Sequence, residues 1–371
     1  MLYLDHNATT PMHPEVKKLV ISLLEGAYNP SSVHKNGRCA RNIVETARLQ
    51  IAKSVGIDIN AREYEIIFTS SGTESNNLLM ANYQDGEIFI SGIEHLSIFA
   101  HTNYRGNIRI INVNRDGIID SEHLEQLLAK SNNSKKLVSI ILANNESGVI
   151  QNVKELAKLS RQYGAVFHSD CVQAVGKMHV NIKDLGLDFA TISSHKLGGM
   201  QGSSVLIAKH NNMIKPVMFG GGQEKNIRPG TENVVAIASF GLASQIAVEE
   251  TEQRYQKTKK LQHYLEENLL KYEKIKIVSK NVQRLSNTTL LVTPWDVQTK
   301  LISFDLLGIA VSSGSACSSG KMSKSHVLSA MGFSDIESKS SIRVSFNYEQ
   351  TIEDAATFIK AFEEIYFTSL G

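Results

Sequence analysis

The sequence predicts an α/β fold built on a mainly parallel sheet of seven strands, sandwiched between helices. Seven short segments rich in β-branched and aromatic residues alternate with helical patterns between about residue 40 and residue 250. These segments are residues 64–69, 87–91, 108–113, 137–143, 165–169, 189–193 and 203–208. Such alternation is typical of a parallel sheet with both faces covered.

The segment of residues 152–164 shows why helices are expected between these strands. Asn152 is a predicted N-cap, and Leu156 and Leu159 follow at a spacing that places them on one face. Gly164 ends the pattern. A helix of this kind packs its apolar face on the sheet and leaves the other face in water.

A smaller α+β unit is predicted after the large sheet. One long helical pattern covers residues 234–273, and its second half is charged. Three strand-like segments with helices between them follow it: residues 274–279, 288–293 and 342–346. We therefore predict a large domain of residues 16–250 and a small domain formed by residues 1–15 and 251–371.

Composition and charge exclude several classes of protein. The chain has 371 residues and a formal net charge of +2, so charge gives no case for binding nucleic acid or an anionic membrane. Its start has no basic region followed by an apolar run, which argues against a signal peptide. No window approaches roughly 18 uninterrupted apolar residues, the length that a membrane span needs. We expect a cytoplasmic protein that binds neither nucleic acid nor membrane.

The chain has three cysteines, Cys39, Cys171 and Cys317. They are odd in number, far apart and outside any Cys-x-x-Cys motif, which argues against a disulfide framework or a zinc cage. Cys39 lies in a helical pattern and Cys171 lies between Asp170 and Val172, so both are expected to pack in the interior. Cys317 lies in "SSGSACSSGK", a segment with almost no side chains that can pack.

Two other interpretations of the Cys317 segment fail. A Walker A loop has four residues between its first glycine and Gly-Lys-[Ser/Thr]. Here five residues separate Gly314 from Gly320, and Met322 follows Lys321. A metal site fails because no histidine or cysteine stands close enough in sequence to Cys317 to make a standard pattern.

A lysine and an aspartate follow two of the predicted strands. Lys196 lies just after the strand at 189–193, where its amine loses solvation and becomes available as a nucleophile. Asp170 follows the strand at 165–169, at the sheet edge where ligands bind. A lysine that forms a Schiff base and an aspartate that pairs with a pyridine nitrogen are the minimum for pyridoxal phosphate. Considered singly, Lys196 could equally be an exposed loop lysine, and Asp170 could be a helix cap or turn residue.

Small residues that could bind a phosphate follow the first strand. Ser70, Ser71, Gly72 and Thr73 precede a predicted helix, where backbone N–H groups and the helix dipole favour an anion. A second turn, "RPGTENV", offers the hydroxyl of Thr231. Such turns also cap many helices without binding a ligand.

Four further polar residues suit the same site. His95 follows a strand, and its ring suits stacking and proton transfer, although a lone histidine is more often structural. Gln173 lies three residues after Asp170, and Asn145 follows another strand. Arg343 lies on a predicted strand of the small domain, where it could bind an α-carboxylate or lie on an edge surface.

Nine short motifs occur in one order along the chain: "LDHNATT", "SSGTESNN", "EH", "NNESGVIQ", "HSDCVQAVGK", "SSHKLGG", "RPGTENV", "SSGSACSSG" and "SIRVSF". Together they resemble the cysteine desulfurases of the pyridoxal-phosphate fold-type I aminotransferase superfamily, class V. The similarity is greatest to the group that serves iron–sulfur cluster assembly and nitrogen fixation. It extends from about residue 3 to about residue 365. The fixed order of the motifs makes it specific.

The resemblance implies a role for each residue around the cofactor. Lys196 would hold pyridoxal phosphate as a Schiff base, Asp170 would pair with the pyridine nitrogen, and Gln173 would contact the ring oxygen. His95 would stack on the ring and take part in proton transfer. The phosphate would be bound by a further set: Gly72, Thr73, Ser193 and His195.

The resemblance also implies contacts with the substrate and with a partner subunit. Asn145 and Arg343 would orient the carboxylate of L-cysteine, with Asn145 also at the cofactor. Cys317 would be the nucleophile, on a mobile loop of about residues 312–325. Thr231 would reach the phosphate bound by the partner subunit, which implies a homodimer.

The implied reaction removes sulfur from L-cysteine. Lys196 would take the α-proton and the Cys317 thiolate would attack the substrate sulfur, giving L-alanine and a Cys317 persulfide. The persulfide would pass to an iron–sulfur scaffold or another sulfur acceptor, whose docking Lys321 and Lys324 could affect. No resident metal is implied, with Cys317 a candidate for a transient ligand of a shared iron–sulfur cluster.

Three alternatives remain open at this point. A selenocysteine lyase or a plain aminotransferase could use the same fold without needing Cys317 for its core chemistry. A non-catalytic interaction module could also keep the fold. Such a module should have lost Lys196, Asp170 or Cys317, and all three are present.

Overall fold

A seven-stranded sheet dominates the first 210 residues. The computed structural model describes residues 1–212, 214–314 and 324–370. The elements of this part are β1 (Leu2–Tyr3), α1 (Pro14–Leu23), α2 (Lys35–Ser54), β2 (Tyr64–Thr69), α3 (Gly72–Asn82), β3 (Glu87–Ser91), α4 (Leu96–Phe99), β4 (Ile108–Ile111), α5 (Ser121–Lys130), β5 (Lys136–Ser139), α6 (Val153–Gln162), β6 (Ala165–Asp170), β7 (Phe189–Ser193) and β8 (Ser204–Lys209).

The strand order of the large sheet is β2-β8-β7-β6-β5-β3-β4. Strands β4, β3, β5, β6 and β7 run parallel, and β8 is antiparallel to both of its neighbours. The prediction of a mainly parallel sheet in an α/β fold is confirmed. Because the parallel strands share a direction, their carboxyl ends meet at one edge.

A smaller antiparallel sheet forms from the rest of the chain. The elements of this part are α7 (Val234–Glu249), α8 (Thr251–Leu269), β9 (Lys276–Ile277), β10 (Thr288–Val292), α9 (Val297–Leu306), β11 (Ile309–Ala310), β12 (Ser312–Ser313), α10 (His326–Ala330), α11 (Asp335–Lys339), β13 (Ser341–Ser345) and α12 (Ile352–Leu370). Its strand order is β12-β13-β10-β9, and β1 pairs separately with β11.

The pleat of the large sheet divides its core between two faces. Phe89 of β3 packs in one core with Phe167 and with Phe240 of α7. Its neighbours Ile88 and Ile90 pack on the opposite face, in a second core that includes residues of α3. Alternation of this kind follows from the two-residue period of a strand, and it explains why the strand segments are apolar throughout.

A third core joins the small sheet to the large one. Leu290 and Val292 of β10 pack with Leu328 of α10 and with Ile93 and Ile141, which follow β3 and β5. The opposite face of the small sheet packs on a separate core formed largely by α8 and α12. The small sheet is thus held against the edge at which the parallel strands end.

The prediction of one helix over residues 234–273 is wrong. The chain forms α7 and α8, which are bent by 69° relative to each other. At the break, the hydroxyl of Thr251 donates to the carbonyl oxygen of Ala247 at 2.9 Å. A threonine hydroxyl that bonds the carbonyl four residues earlier is a known cause of helix bending.

Two strands of the large sheet end earlier than predicted. β5 ends at Ser139, because the next N–H group on its β3 side, that of Ile141, donates to Oε1 of Glu94 at 2.7 Å and not to a strand. β4 ends at Ile111, and Val113 forms a bridge with Ile119 instead. At the end of β5, a side chain takes the place of the neighbouring strand as hydrogen-bond acceptor. No local sequence pattern reveals this substitution.

The expectation that Cys39 packs in the interior is also wrong. Cys39 lies on α2 but is exposed, because the buried face of that helix runs through Ala40, Val44 and Ala47. Cys171 is buried, as expected. The two are free thiols.

Within the described ranges, no single helix is long and apolar enough to cross a membrane, although the bent pair α7 and α8 passes that test together by length and composition. The same ranges contain no group of three or more His, Cys, Asp or Glu side chains that could hold a metal ion. The division into domains at residues 15 and 250 stays a prediction.

Candidate active site

A cavity of about 400 Å³ lies where β6 and β7 end, against the N-terminus of α3. The segments that follow β3 and β5 form part of its wall, and β13 of the small sheet contributes one side chain. In a doubly wound sheet this edge binds ligands, because loop side chains and helix N-termini converge there.

One end of the cavity is built to bind an anion. Ser71 is the N-cap of α3, its Oγ accepting the N–H of Glu74 at 3.1 Å, and Gly72 and Thr73 are the first helical residues. A Cβ on Gly72 would make ordinary van der Waals contact with Cγ2 of Val172 at 3.4 Å. The helix dipole and the first N–H groups favour a phosphate here.

One residue at the end of β7 and one just after it approach the same region. Ser193 is the last residue of β7, and His195 lies in the short 3-10 turn that comes next. Burial, with a smaller effect of Lys196, lowers the pKa of His195 to about 4. The ring is therefore neutral at pH 7 and carries one N–H group and one acceptor nitrogen. Its Nδ1 lies 3.2 Å from Oγ1 of Thr9.

The carboxylate of Asp170 is fixed by two donors. The N–H of Val172 donates to Oδ1 at 3.0 Å, and Nδ2 of Asn76 donates to Oδ2 at 2.9 Å. The same Nδ2 donates to Oγ of Ser97 at 2.8 Å, which connects Asp170 to the His95 segment. A buried carboxylate held in this way can pair with a protonated ring nitrogen.

The protonation of His95 follows from its contacts. The main-chain N–H of Ser97 donates to Nδ1 at 3.1 Å, so Nδ1 is an acceptor and a neutral ring carries its proton on Nε2. Burial lowers the pKa of His95, with Lys196 acting in the same direction and Asp170 against it. The site thus holds a neutral imidazole with its N–H group at Nε2.

Lys196 lies at the wall between the two ends of the cavity. Its Nζ donates to the main-chain oxygens of Asn7 at 2.5 Å and Ala8 at 2.6 Å. Gly198 follows with φ of +91°, a left-handed conformation that turns the chain sharply after the lysine. These contacts hold the amine at the wall of the cavity.

The opposite wall comes from the small sheet. Arg343 is 2 % exposed and donates to Oδ1 of Asp5 at 2.6 Å and to the main-chain oxygen of Asn145 at 2.9 Å. Its Nε and the Oδ1 of Asn145 are buried without a hydrogen-bond partner among the described residues. An unpaired buried polar group costs roughly 1–3 kcal/mol, so a polar ligand would stabilise this wall.

Comparison with known proteins assigns the chain to a family. The family model described as aminotransferase class-V matches residues 2–358. The chain belongs to the class-V aminotransferase family. The cysteine desulfurase IscS of Dictyoglomus turgidum is 35% identical, with 98% of this chain and 94% of that protein covered.

Two further relatives are similar over nearly their whole length. The putative cysteine desulfurase IscS 1 of Bacillus subtilis is 35% identical, with 97% of each chain covered. The X-ray structure of a NifS-like protein from Rickettsia africae has a TM-score of 0.95 at 57% identity, with 99% of each chain covered. The resemblance to class-V cysteine desulfurases is confirmed.

The class-V fold brings ten predicted residues together around the cavity: Gly72, Thr73, His95, Asn145, Asp170, Gln173, Ser193, His195, Lys196 and Arg343. Thr231 is exposed and does not line this cavity. Cys317 lies outside the described residues, as does most of the loop predicted at 312–325. The roles assigned to these residues stay predictions.

Sequence reasoning missed the residues that support the site in this class-V chain. Asn76 and Ser97 connect Asp170 to His95. Asn76 lies four residues after Gly72, on the buried face of α3, and that spacing was a usable signal. Ser97 belongs to a short capped turn and gave no such signal.

Asn7 is a second residue that was missed. It is 1% exposed, and its Nδ2 donates to Oγ1 of Thr288 at 2.9 Å and to the main-chain oxygen of Asn145 at 3.2 Å. Its main-chain oxygen accepts from Lys196. Asn7 therefore ties the N-terminal segment to both walls of the cavity, although the motif "LDHNATT" contains no hint of which residue does so.

A buried carboxyl group holds the segment that follows residue 323. Oε2 of Glu146 accepts the hydroxyl of Ser325 at 2.6 Å, and Ser325 caps α10. Burial raises the pKa of Glu146 to about 7, and Arg343 opposes the increase. The anchor lies one residue from Asn145, so the start of this segment is fixed beside the cavity.

Proposed function

We propose that the protein is a pyridoxal-phosphate-dependent cysteine desulfurase that yields L-alanine and a persulfide on Cys317. One observation carries the proposal: a single cavity contains Lys196, Asp170 and the N-terminus of α3. These supply an amine, a carboxylate and an anion site, the three groups that this cofactor needs. The names of the cysteine desulfurase relatives support the reaction.

The residues present fit pyridoxal phosphate. A volume of about 400 Å³ lies within the range of small-molecule sites. The anion end lies at α3 and after β7, and Asp170 is fixed by Asn76 and by Val172. At the far wall, the unpaired Nε–H of Arg343 remains as a donor for an amino-acid carboxylate, and the unpaired Oδ1 of Asn145 remains as an acceptor for a ligand N–H or O–H group.

Each residue has a role that its position allows. Gly72, Thr73, Ser193 and His195 would bind the phosphate. Asp170 would keep the ring nitrogen protonated, because a fixed carboxylate favours a proton on the atom it contacts. When bound, pyridoxal phosphate supplies an electron sink that acidifies the substrate Cα–H bond.

Proton transfer and substrate binding fall to the remaining residues. The Lys196 amine would take the α-proton of L-cysteine, as a lysine with a free lone pair can. The neutral His95 ring would cover the cofactor and exchange a proton at Nε2. Arg343 would bind the substrate carboxylate, with Asn145 beside it, and so hold the substrate in one orientation.

Cys317 would carry the sulfur. Its thiolate would attack Sγ of L-cysteine, forming an S–S bond as the Cβ–Sγ bond breaks, and a proton delivered to Cβ completes L-alanine. The products are then L-alanine and a persulfide on Cys317, with no external oxidant. An acceptor thiol, such as one on an iron–sulfur scaffold protein, would take the terminal sulfur.

The test uses purified protein loaded with pyridoxal phosphate and L-cysteine. Cys317→Ala should abolish sulfide and alanine release while keeping the visible absorbance of the bound cofactor. Lys196→Ala should lose that absorbance. Cys39→Ala is the matched control, because this exposed cysteine on α2 lies outside the cavity. Normal turnover of L-cysteine by Cys317→Ala would overturn the proposal, and turnover of L-selenocysteine alone would favour a selenocysteine lyase.

We further propose a cytoplasmic homodimer in which Thr231 enters the cavity of the second copy. Arg228, three residues earlier, donates to Oε1 of Glu74 at 2.7 Å and so anchors this segment at the first turn of α3. Thr231 itself is exposed in the single chain, as expected for a residue that would contact a partner subunit. Light scattering should give twice the chain mass of 41.0 kDa. A monomer with full activity would contradict the dimer.

A further inference from the structure

Lys177 is a lysine whose ammonium lies among amide groups. Its Nζ donates to Oε1 of Gln173 at 2.5 Å and to Oδ1 of Asn7 at 2.8 Å. None of the ion pairs between described residues includes it. Part of the side chain contacts a second cavity of about 50 Å³, which Lys196 also lines.

The surroundings of Lys177 disfavour a charge. Burial lowers the pKa of its ammonium well below the usual range, and the cations of Lys196 and Arg343 act in the same direction. Burying an ammonium group costs free energy that an apolar side chain of similar volume would avoid. A lysine at this position therefore indicates a function for its hydrogen bonds.

The contacts of Lys177 fix the orientation of one amide. A lysine ammonium has three N–H donors and no acceptor, and a neutral amine still has two N–H donors. Both contacts therefore persist in either protonation state, and the Gln173 atom that faces an ammonium at Lys177 must be the oxygen, whereas a neutral amine also has one lone pair that can accept a hydrogen bond. The other atom, Nε2, donates to the main-chain oxygen of Asn7 at 2.9 Å.

The second N–H group of Gln173 Nε2 is then left at the cavity wall. Gln173 lines the large cavity, whereas Lys177 does not and lies behind it. A reversed amide would put NH₂ against the amine of Lys177 and an oxygen against the oxygen of Asn7. The contact between the two oxygens is unfavourable in either protonation state, and the contact between NH₂ and an ammonium is unfavourable as well, so the orientation with the Gln173 oxygen toward Lys177 is favoured.

We propose that Lys177 is a positioning residue that holds Gln173 with its N–H donor toward the ring oxygen of pyridoxal phosphate. The inference rests on the proposed function, because it needs the cofactor in the large cavity. Lys177 touches neither cofactor nor substrate and acts only through Gln173 and Asn7.

The test compares Lys177→Met, Gln173→Ala and the double variant with the parent protein. Methionine keeps the length and apolar stem of the side chain and removes the donors. The affinity of each apoprotein for pyridoxal phosphate is measured by absorbance titration, and the position of the visible band is recorded. Lys154→Met, an exposed lysine on α6, is the matched control and should match the parent.

Lys177→Met should bind pyridoxal phosphate about fivefold more weakly, the effect of roughly one hydrogen bond, and should shift the visible band as Gln173→Ala does. The double variant should show no larger change than Gln173→Ala, because both changes remove the same contact. Circular dichroism establishes that each variant is folded. If Lys177→Met does not fold, Lys177→Gln serves the same comparison.

Two results separate the possible failures. A parent protein that neither binds pyridoxal phosphate nor releases sulfide would overturn the proposed function. A parent protein that does both, while Lys177→Met and Lys177→Gln keep its affinity and its band, would overturn the role of Lys177 alone. Additive effects in the double variant would also contradict action through Gln173.

Discussion

Replacing Asn76 with leucine tests how far the site depends on its supporting hydrogen bonds. Asn76 is buried on α3, and its Nδ2 donates to Oδ2 of Asp170 and to Oγ of Ser97. Leucine has the same branched outline and is larger, so the substitution removes the donor without opening a cavity. The carboxylate of Asp170 would keep only the N–H of Val172.

The magnitude follows from the groups left unpaired. A hydrogen bond to a charged group contributes roughly 1.5–3 kcal/mol, and the lost Ser97 contact contributes about 1 kcal/mol. The Oδ1 of Asn76 has no partner among the described residues, so removing this oxygen relieves a desolvation cost of about 1 kcal/mol. We therefore expect the free energy of unfolding of the apoprotein to fall by about 1.5–3 kcal/mol.

The effect on turnover should exceed the effect on substrate binding. Asp170 would no longer be fixed where a ring nitrogen can meet it, so we expect kcat to fall by roughly 10- to 100-fold with little change in KM. Urea titration of the apoprotein and alanine release by the loaded protein measure the two quantities. Asn77→Ala, an exposed residue on the same helix, is the control.

The result that would refute this reasoning is specific. If Asn76→Leu unfolds within about 0.5 kcal/mol of the parent protein and keeps its kcat, the bond from Asn76 is not what fixes Asp170. Asn76→Asp adds a second test, because two carboxylates would then lie in contact. That variant should be less active than Asn76→Leu at pH 8 and should recover partly as the pH falls and the pair takes up a proton.

Two further predictions follow from buried titratable groups. Burial raises the pKa of Glu94 from 4.5 to about 8, so its contribution to stability is full below pH 4.5 and is lost as the pH rises through 8. Above pH 8 this loss amounts to at most about 5 kcal/mol of the free energy of unfolding. In Glu94→Gln, urea titrations between pH 5 and pH 9 should show a pH dependence of the free energy of unfolding that is weaker by this amount. A pH dependence equal to that of the parent protein would refute the prediction. Burial raises the pKa of Cys171 to about 12, so mass spectrometry after iodoacetamide treatment of native protein should find Cys39 alkylated and Cys171 intact. Alkylation of Cys171 before unfolding would contradict its burial.

Much of the fold was predictable because its signals are local. The strand at 64–69 and the strand at 189–193 have the predicted bounds, since short apolar runs between polar turns leave little choice. The break at Thr251 was not predictable, because it depends on a hydroxyl that bonds Ala247 instead of water. The exposed position of Cys39 depends on which face of α2 packs against α7. That choice is set by tertiary packing and not by the local sequence.

The candidate site was predictable to the extent that its residues have distinctive chemistry. Lys196 and Asp170 were found because each follows a strand and carries a reactive group. Asn7 and Lys177 were not, because an asparagine near the start of a chain and a lysine after a buried turn look like ordinary surface residues. Their contact with each other joins segments 170 residues apart and has no local signature.

The contacts of the N-terminal segment set a limit on when the site can form. The N–H of Asn7 donates to Oγ of Ser345, and Asp5 pairs with Arg343, each across 338 residues. Translation at 5–20 residues per second puts roughly 20 to 70 s between the two ends of each contact. During that interval the first residues lack the partners that hold them beside Lys196. Loading with cofactor is thus expected only after synthesis is nearly complete, and ribosome-bound chains that stop before residue 341 should remain colourless when pyridoxal phosphate is supplied.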